Sequence, residues 1–204
     1  MKRRRFLALG AGLGVASIAD GVVGVGQAAP EPGKGKAPGD RKPVLVRAGM
    51  SRRADGSEGP HPFQNTLVRS FDSEGKLVAL VLPVNNYEHN LYQGAPLHVH
   101  HENDEWIYIL EGEFVAEVGG ARYRLKRGDS LLMPKLIPHR WSIAGLPQAG
   151  AIHLYTPAGK MDLAFDDPPK RGTPETGAER KAEFEGFGMT LLGAPLTKEE
   201  IESV

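Results

Sequence analysis

Cysteine is absent from the 204 residues, which excludes thiol nucleophiles, iron–sulfur clusters and disulfides together. A surplus of charge is missing too. The 25 Lys and Arg balance the 25 Asp and Glu, so a nucleic-acid or anionic-membrane partner held by counterion release is not expected. No apolar run is long enough for a comfortable membrane span, since the best stretch, Ala8 to Ala19, is short and glycine-rich. A small-molecule substrate is the partner that remains, and stability must come from packing, a metal ion or a second subunit.

Met1-Lys-Arg-Arg-Arg-Phe-Leu7 sets a cationic segment before that apolar stretch, which is the layout of a cleaved export signal. Arg3-Arg4, one residue, then Phe6-Leu7 is similar to the twin-arginine signal of bacteria, used for folded cargo. Ala19 and Ala28 both suit cleavage. Residues 1–29 are therefore expected to be an export signal, leaving a periplasmic or extracellular protein with no stable membrane anchor. Residues 30–43, rich in proline, glycine and lysine, are expected to be a disordered linker. The remainder has the size of one domain, with a barrel over 44–165 and a helical extension over 166–204 that packs on the barrel or on a partner.

Short strands fill the barrel region. Thr66 to Phe71 and Leu77 to Val84 flank the turn Asp72-Ser-Glu-Gly75. They are followed by Leu97 to His101, Glu105 to Leu110, Phe114 to Val118, Ala121 to Leu125, Ser130 to Met133, His139 to Ile143 and Ala149 to Tyr155. Gly119-Gly120 and Arg127-Gly128-Asp129 read as turns between them. This pattern predicts an all-β antiparallel sandwich or jelly-roll β-barrel. One short C-terminal helix is expected, from the capping-box spacing of Thr176 and Glu179, with Ala178 and Ala182 on one face and Gly186 and Gly188 at its end. The apolar Met189 to Leu192 is expected to dock on the barrel or on a second subunit.

Strand periodicity also assembles a site. His98 and His100 share one face of an extended strand, while Val99 and His101 take the other. After the polar turn His101-Glu102-Asn103-Asp104, the returning strand brings Glu105 back toward the two imidazoles, and His139 adds a further ligand from another strand. Three imidazoles and one carboxylate suit one divalent transition metal ion, Fe, Mn, Ni, Co or Zn. The set is too nitrogen-rich for magnesium or calcium and lacks the thiolates of a structural zinc site. His101, Glu102 and Asp104 are assigned to the turn or to support behind the ligands. His61, His89 and His153 are lone histidines, of which only His153 lies in a strand. Parity places Ile107 and Ile109 with Glu105, and Trp141 with His139, as the walls of an apolar substrate pocket. The opposite set, Trp106, Tyr108 and Leu110, needs cover, which leads us to expect a homodimer.

Gly94, His98, His100, Glu105 and Gly112, followed by Gly128, Pro134 and His139, resemble the two motifs of the cupin superfamily. Three departures stand out. Gly94 precedes the first histidine by fewer residues than usual, Leu136 occupies the place of the second motif's second glycine, and Ile143 that of its frequent asparagine. Ordinary backbone is expected at Leu136, so that Leu136→Gly would destabilise the fold. Pro96 to Phe114, Tyr155 to Gly159 and Gly188 to Leu196 are similar to single-domain cupins related to quercetinase, the flavonol-cleaving dioxygenase. The resemblance implies a cupin-type jelly roll holding a metal through His98, His100, Glu105 and His139. It also implies attack of O2 on an electron-rich enol or phenol, with Glu105 as catalytic proton acceptor. A metal-assisted isomerase or decarboxylase and a non-catalytic metal or small-ligand carrier are the alternatives.

Overall fold

The computed structural model describes residues 42–61, 64–83, 94–145, 149–165 and 177–204. The expected export signal and all but the end of the linker lie outside the described residues, as do the loop Asn85 to Gln93 and Thr176.

Two five-stranded antiparallel sheets face each other. In chain order the strands are β1 (Ser51–Arg52), β2 (Glu58–Gly59), β3 (Asn65–Val68), β4 (Val78–Pro83), β5 (Gly94–His100), β6 (Asp104–Glu111), β7 (Glu113–Val118), β8 (Ala121–Lys126), β9 (Ser130–Met133), β10 (His139–Ile143), β11 (Gly150–Thr156) and β12 (Met189–Leu191). The first sheet runs β12-β5-β10-β7-β8 and the second β3-β4-β11-β6-β9, with β1 and β2 as a small separate pair. This is a jelly-roll all-β fold.

Alternation of side chains explains which sheet faces meet. Along β6, Glu105, Ile107 and Ile109 are buried while Trp106 and Tyr108 are half-buried and Leu110 exposed, the signature of a strand covered on one side. The inner residues Ile107, Ile109, Phe114, Ala116, Met133 and Ala151 fill one end of the barrel. A second cluster, Val78, Leu80, Tyr155, Met161, Phe184, Met189 and Leu191, fills the other. On the outer face of the second sheet Trp106 and Tyr108 stack at 6.0 Å between ring centres.

The C-terminal third differs from expectation in two respects. Helices form at α1 (Met161–Ala164), α2 (Ala178–Gly186) and α3 (Lys198–Glu202), where one was expected. The capping box belongs to α3, where Thr197 Oγ1 accepts from Glu200 N at 3.2 Å and the Glu200 carboxylate accepts from Thr197 N at 2.9 Å. In α2, Ala178 and Ala182 are exposed and Phe184 is buried, because one aromatic ring removes far more apolar area from water than two methyl groups. The segment after α2 does dock on the barrel, as strand β12 paired with β5, Met189 opposite His100 and Leu191 opposite His98. Among the described residues no helix is long and apolar enough to cross a membrane.

Candidate metal centre

His98, His100, Glu105 and His139 converge: each offers one ligand atom, and all four atoms lie within 4.8 Å of one another. Register explains how. His139 in β10 pairs directly with His98 in β5, and His100 follows His98 on the same strand face. Glu105 comes from the other sheet, on β6, through the turn that ends β5. That turn is held by Lys135 N donating to Asp104 Oδ1 at 2.9 Å. His101 points away, exposed, with Nε2 2.9 Å from Thr190 Oγ1. The glycine at the start of β5 is required for this approach. A Cβ on Gly94 would stand 1.8 Å from the Trp141 carbonyl oxygen and 2.6 Å from Ser142 Cα, so only glycine lets β5 lie this close to β10.

The donor chemistry fits a cation. His98 Nδ1 donates to the Pro96 carbonyl at 2.7 Å and His139 Nδ1 to the Ile137 carbonyl at 2.9 Å. A carbonyl can only accept, so Nδ1 of each ring carries a proton and Nε2 is the atom left to face the centre. Burial, with the neighbouring His139 and His100, lowers His98 to about 3, leaving it neutral at ordinary pH. For Glu105, burial alone would favour the acid, but hydrogen bonds from His100, His139 and His153 prevail and hold it well below the usual carboxylate range. Burial also opposes charge on His139, yet its hydrogen bond to Glu105 Oε2, 3.3 Å away, raises it overall. Three imidazoles and a carboxylate, buried together, make a pocket that a divalent ion completes.

A cavity of about 250 Å³ opens onto this set. His98, His100 and Glu105 form part of its wall with Trp141, Tyr155, Met161, Phe165 and Phe184, while His139 is fully buried behind them. Trp141 therefore stands where parity placed it. Ile107 and Ile109 do not line this cavity: they share the face of Glu105, but further along β6 they lie in the core with Phe114 and Met133. The sequence reading missed Tyr155, Met161, Phe165 and Phe184. Tyr155 was legible, since it alternates with His153 on a recognised strand; the others belong to late helical segments whose docking had no local signal.

Residues 92–152 match the family model Cupin_2, described as a cupin domain. Over this segment the chain is similar to cupin domains. The site sits within it: all four ligand positions fall inside the matched segment. Among curated proteins, quercetin 2,3-dioxygenase of Bacillus subtilis is 27% identical over 157 residues, covering 72% of this chain and 43% of that protein. The chain thus spans less than half the length of that relative. Among solved structures, a cupin-like protein from Thermotoga maritima matches with a TM-score of 0.45 at 15% identity, over 69% of this chain and 81% of that one. KdgF from Halomonas sp. matches with a TM-score of 0.39 at 21% identity, over 46% and 76%.

Proposed function

We propose that this protein is an exported, metal-dependent dioxygenase of quercetinase type that cleaves a small aromatic or enolic compound with O2. The observation that carries the reading is the cavity, whose wall joins a transition-metal ligand set to an otherwise largely aromatic and apolar lining. His98, His100, Glu105 and His139 would hold the ion. A bound divalent transition ion supplies Lewis acidity, and redox capacity where it is iron, manganese, nickel or cobalt.

The chain's own residues supply the rest. Trp141 and Phe184 offer ring faces on which a flat substrate can stack, and Phe165 and Met161 exclude water around it. Glu105, held ionised at the cavity wall, accepts the proton of an enol or phenol hydroxyl as that oxygen approaches the ligand set. The similarity to quercetin 2,3-dioxygenase supports the direction of this reading.

The test is O2 uptake by protein reconstituted with each of iron, manganese, nickel, cobalt and zinc against a panel of flavonols and smaller enols. The expected result is substrate loss matched by O2 consumption and abolished under argon. Turnover that persists under argon would instead make the protein an isomerase or decarboxylase, and binding without turnover a carrier; either defeats the proposal.

A further inference from the structure

Glu105 is engaged on both oxygens. Oε2 faces His139 and His100, at 3.3 and 3.4 Å. Oε1 turns the other way and accepts two hydrogen bonds, from His153 Nδ1 at 2.8 Å and from the Tyr155 hydroxyl at 3.1 Å. Both donors come from β11, the neighbour of β6 in the second sheet. Tyr155 pairs directly with Glu105 and His153 with Ile107, two residues along, so strand alternation brings both donors to the inner face beside the carboxylate. All three side chains are buried, His153 and Glu105 almost completely. His153 is fixed from a further side by Trp141, whose ring lies 4.9 Å from its own.

A carboxylate oxygen has two lone pairs to offer. With both taken by fixed donors, Oε1 has nothing left for a metal ion. We propose that His153 and Tyr155 are positioning residues that clamp Glu105 Oε1, so that Glu105 binds the ion through Oε2 alone and a coordination position stays free for substrate. Without the clamp, Glu105 can rotate and chelate with both oxygens, occupying the place that the cavity leads to. In this scheme His153 and Tyr155 act on the ion only through Glu105 and are not themselves ligands. The inference rests on the metal reading of the ligand set and adds to it how that set stays open.

The test uses the full chain, stripped of metal and titrated with cobalt(II), whose visible spectrum reports coordination number. Tyr155→Phe removes one oxygen and no ring; His153→Leu removes the stronger donor. Each is expected to weaken cobalt binding by about 10-fold or more and to change the spectrum. His153→Asn, whose amide nitrogen falls near the place of Nδ1, is expected to recover most of the affinity and the original spectrum, which a merely space-filling role for the ring would not produce. Should His153→Leu fail to fold, Tyr155→Phe and His153→Asn carry the test. Variants Tyr155→Phe and His153→Leu that bind cobalt within about 2-fold of the parent with an unchanged spectrum would overturn the clamp. A parent protein that takes up no cobalt would defeat the metal reading instead, so the two failures are told apart.

Discussion

His98 is neutral in the native metal-free protein down to about pH 3, whereas in the unfolded chain it titrates near 6.5. Stability from this residue is therefore complete above pH 6.5 and falls as the pH drops from 6.5 toward 3, where only the unfolded chain takes the proton. The loss is on the order of 4 kcal/mol at the acid end. His139, shifted the opposite way, favours the fold below 6.5 and offsets part of it. Urea midpoints of metal-free protein at pH 7.5 and pH 4.5 should show the decline, and His98→Gln should shrink it. Replacing a ligand has a sharper effect on the ion itself. His139→Ala should lose metal by at least about 100-fold in affinity, more than removing a supporting hydrogen bond costs, while His101→Ala should retain one ion per chain by elemental analysis. Leu136 corrects an expectation. Its backbone is left-handed, φ +65°, the conformation that glycine adopts without strain, and its side chain is exposed. The expected destabilisation of Leu136→Gly therefore reverses. Relief of strain outweighs the extra freedom of the unfolded chain, and we expect a gain of about 0.5–1 kcal/mol, read as a melting temperature higher by a few degrees.

At the scale of elements, β5 and β10 depend on the bare backbone of Gly94. Adding a methyl there drives it into the Trp141 carbonyl, and the strands that carry His98, His100 and His139 must part. Gly94→Ala should cost about 2–3 kcal/mol and release the metal, measurable by thermal melting with metal analysis of the folded fraction. The same elements show what a sequence can reveal. Alternation along β5 and β6 was readable because each strand buries one face, and that sufficed to bring His98, His100 and Glu105 together. Parity gives the face and not the height along the strand. Ile107 and Ile109 share Glu105's face but lie in the core, away from the cavity. Phe184 and Met161 reach the cavity wall from helical segments far along the chain. Which side of α2 turns inward is decided by docking on the barrel, where Phe184 is buried and Ala178 and Ala182 are exposed.

The whole molecule places the four ligands across two sheets, three histidines from one and the carboxylate with its two supports from the other. An unfolded chain has no such site, so an ion would be acquired only once strands of both sheets have come together. A donor set of imidazoles and carboxylate follows the general affinity order, in which copper outcompetes manganese and iron wherever all are free. Export of an already folded barrel, which we propose from the Arg3-Arg4 leader, would let the compartment of folding choose the ion. Arg3→Lys with Arg4→Lys should retain the protein in the cytoplasm on fractionation, and rerouting the barrel through a pathway for unfolded chains should change the metal found in it. The same ion by either route would defeat this account of selection.

The pairing of β12 with β5 also sets an order in time. A growing chain completes the ligand strands β5, β6 and β10, and then β11, before α2 and β12 have been made. Those strands can then pair to form the floor of the site while the wall containing Phe184 and Met189 is still to dock. Ion capture can thus precede closure during biosynthesis, and the entrance acquires its final width only when the last segment arrives and seals the open edge of β5.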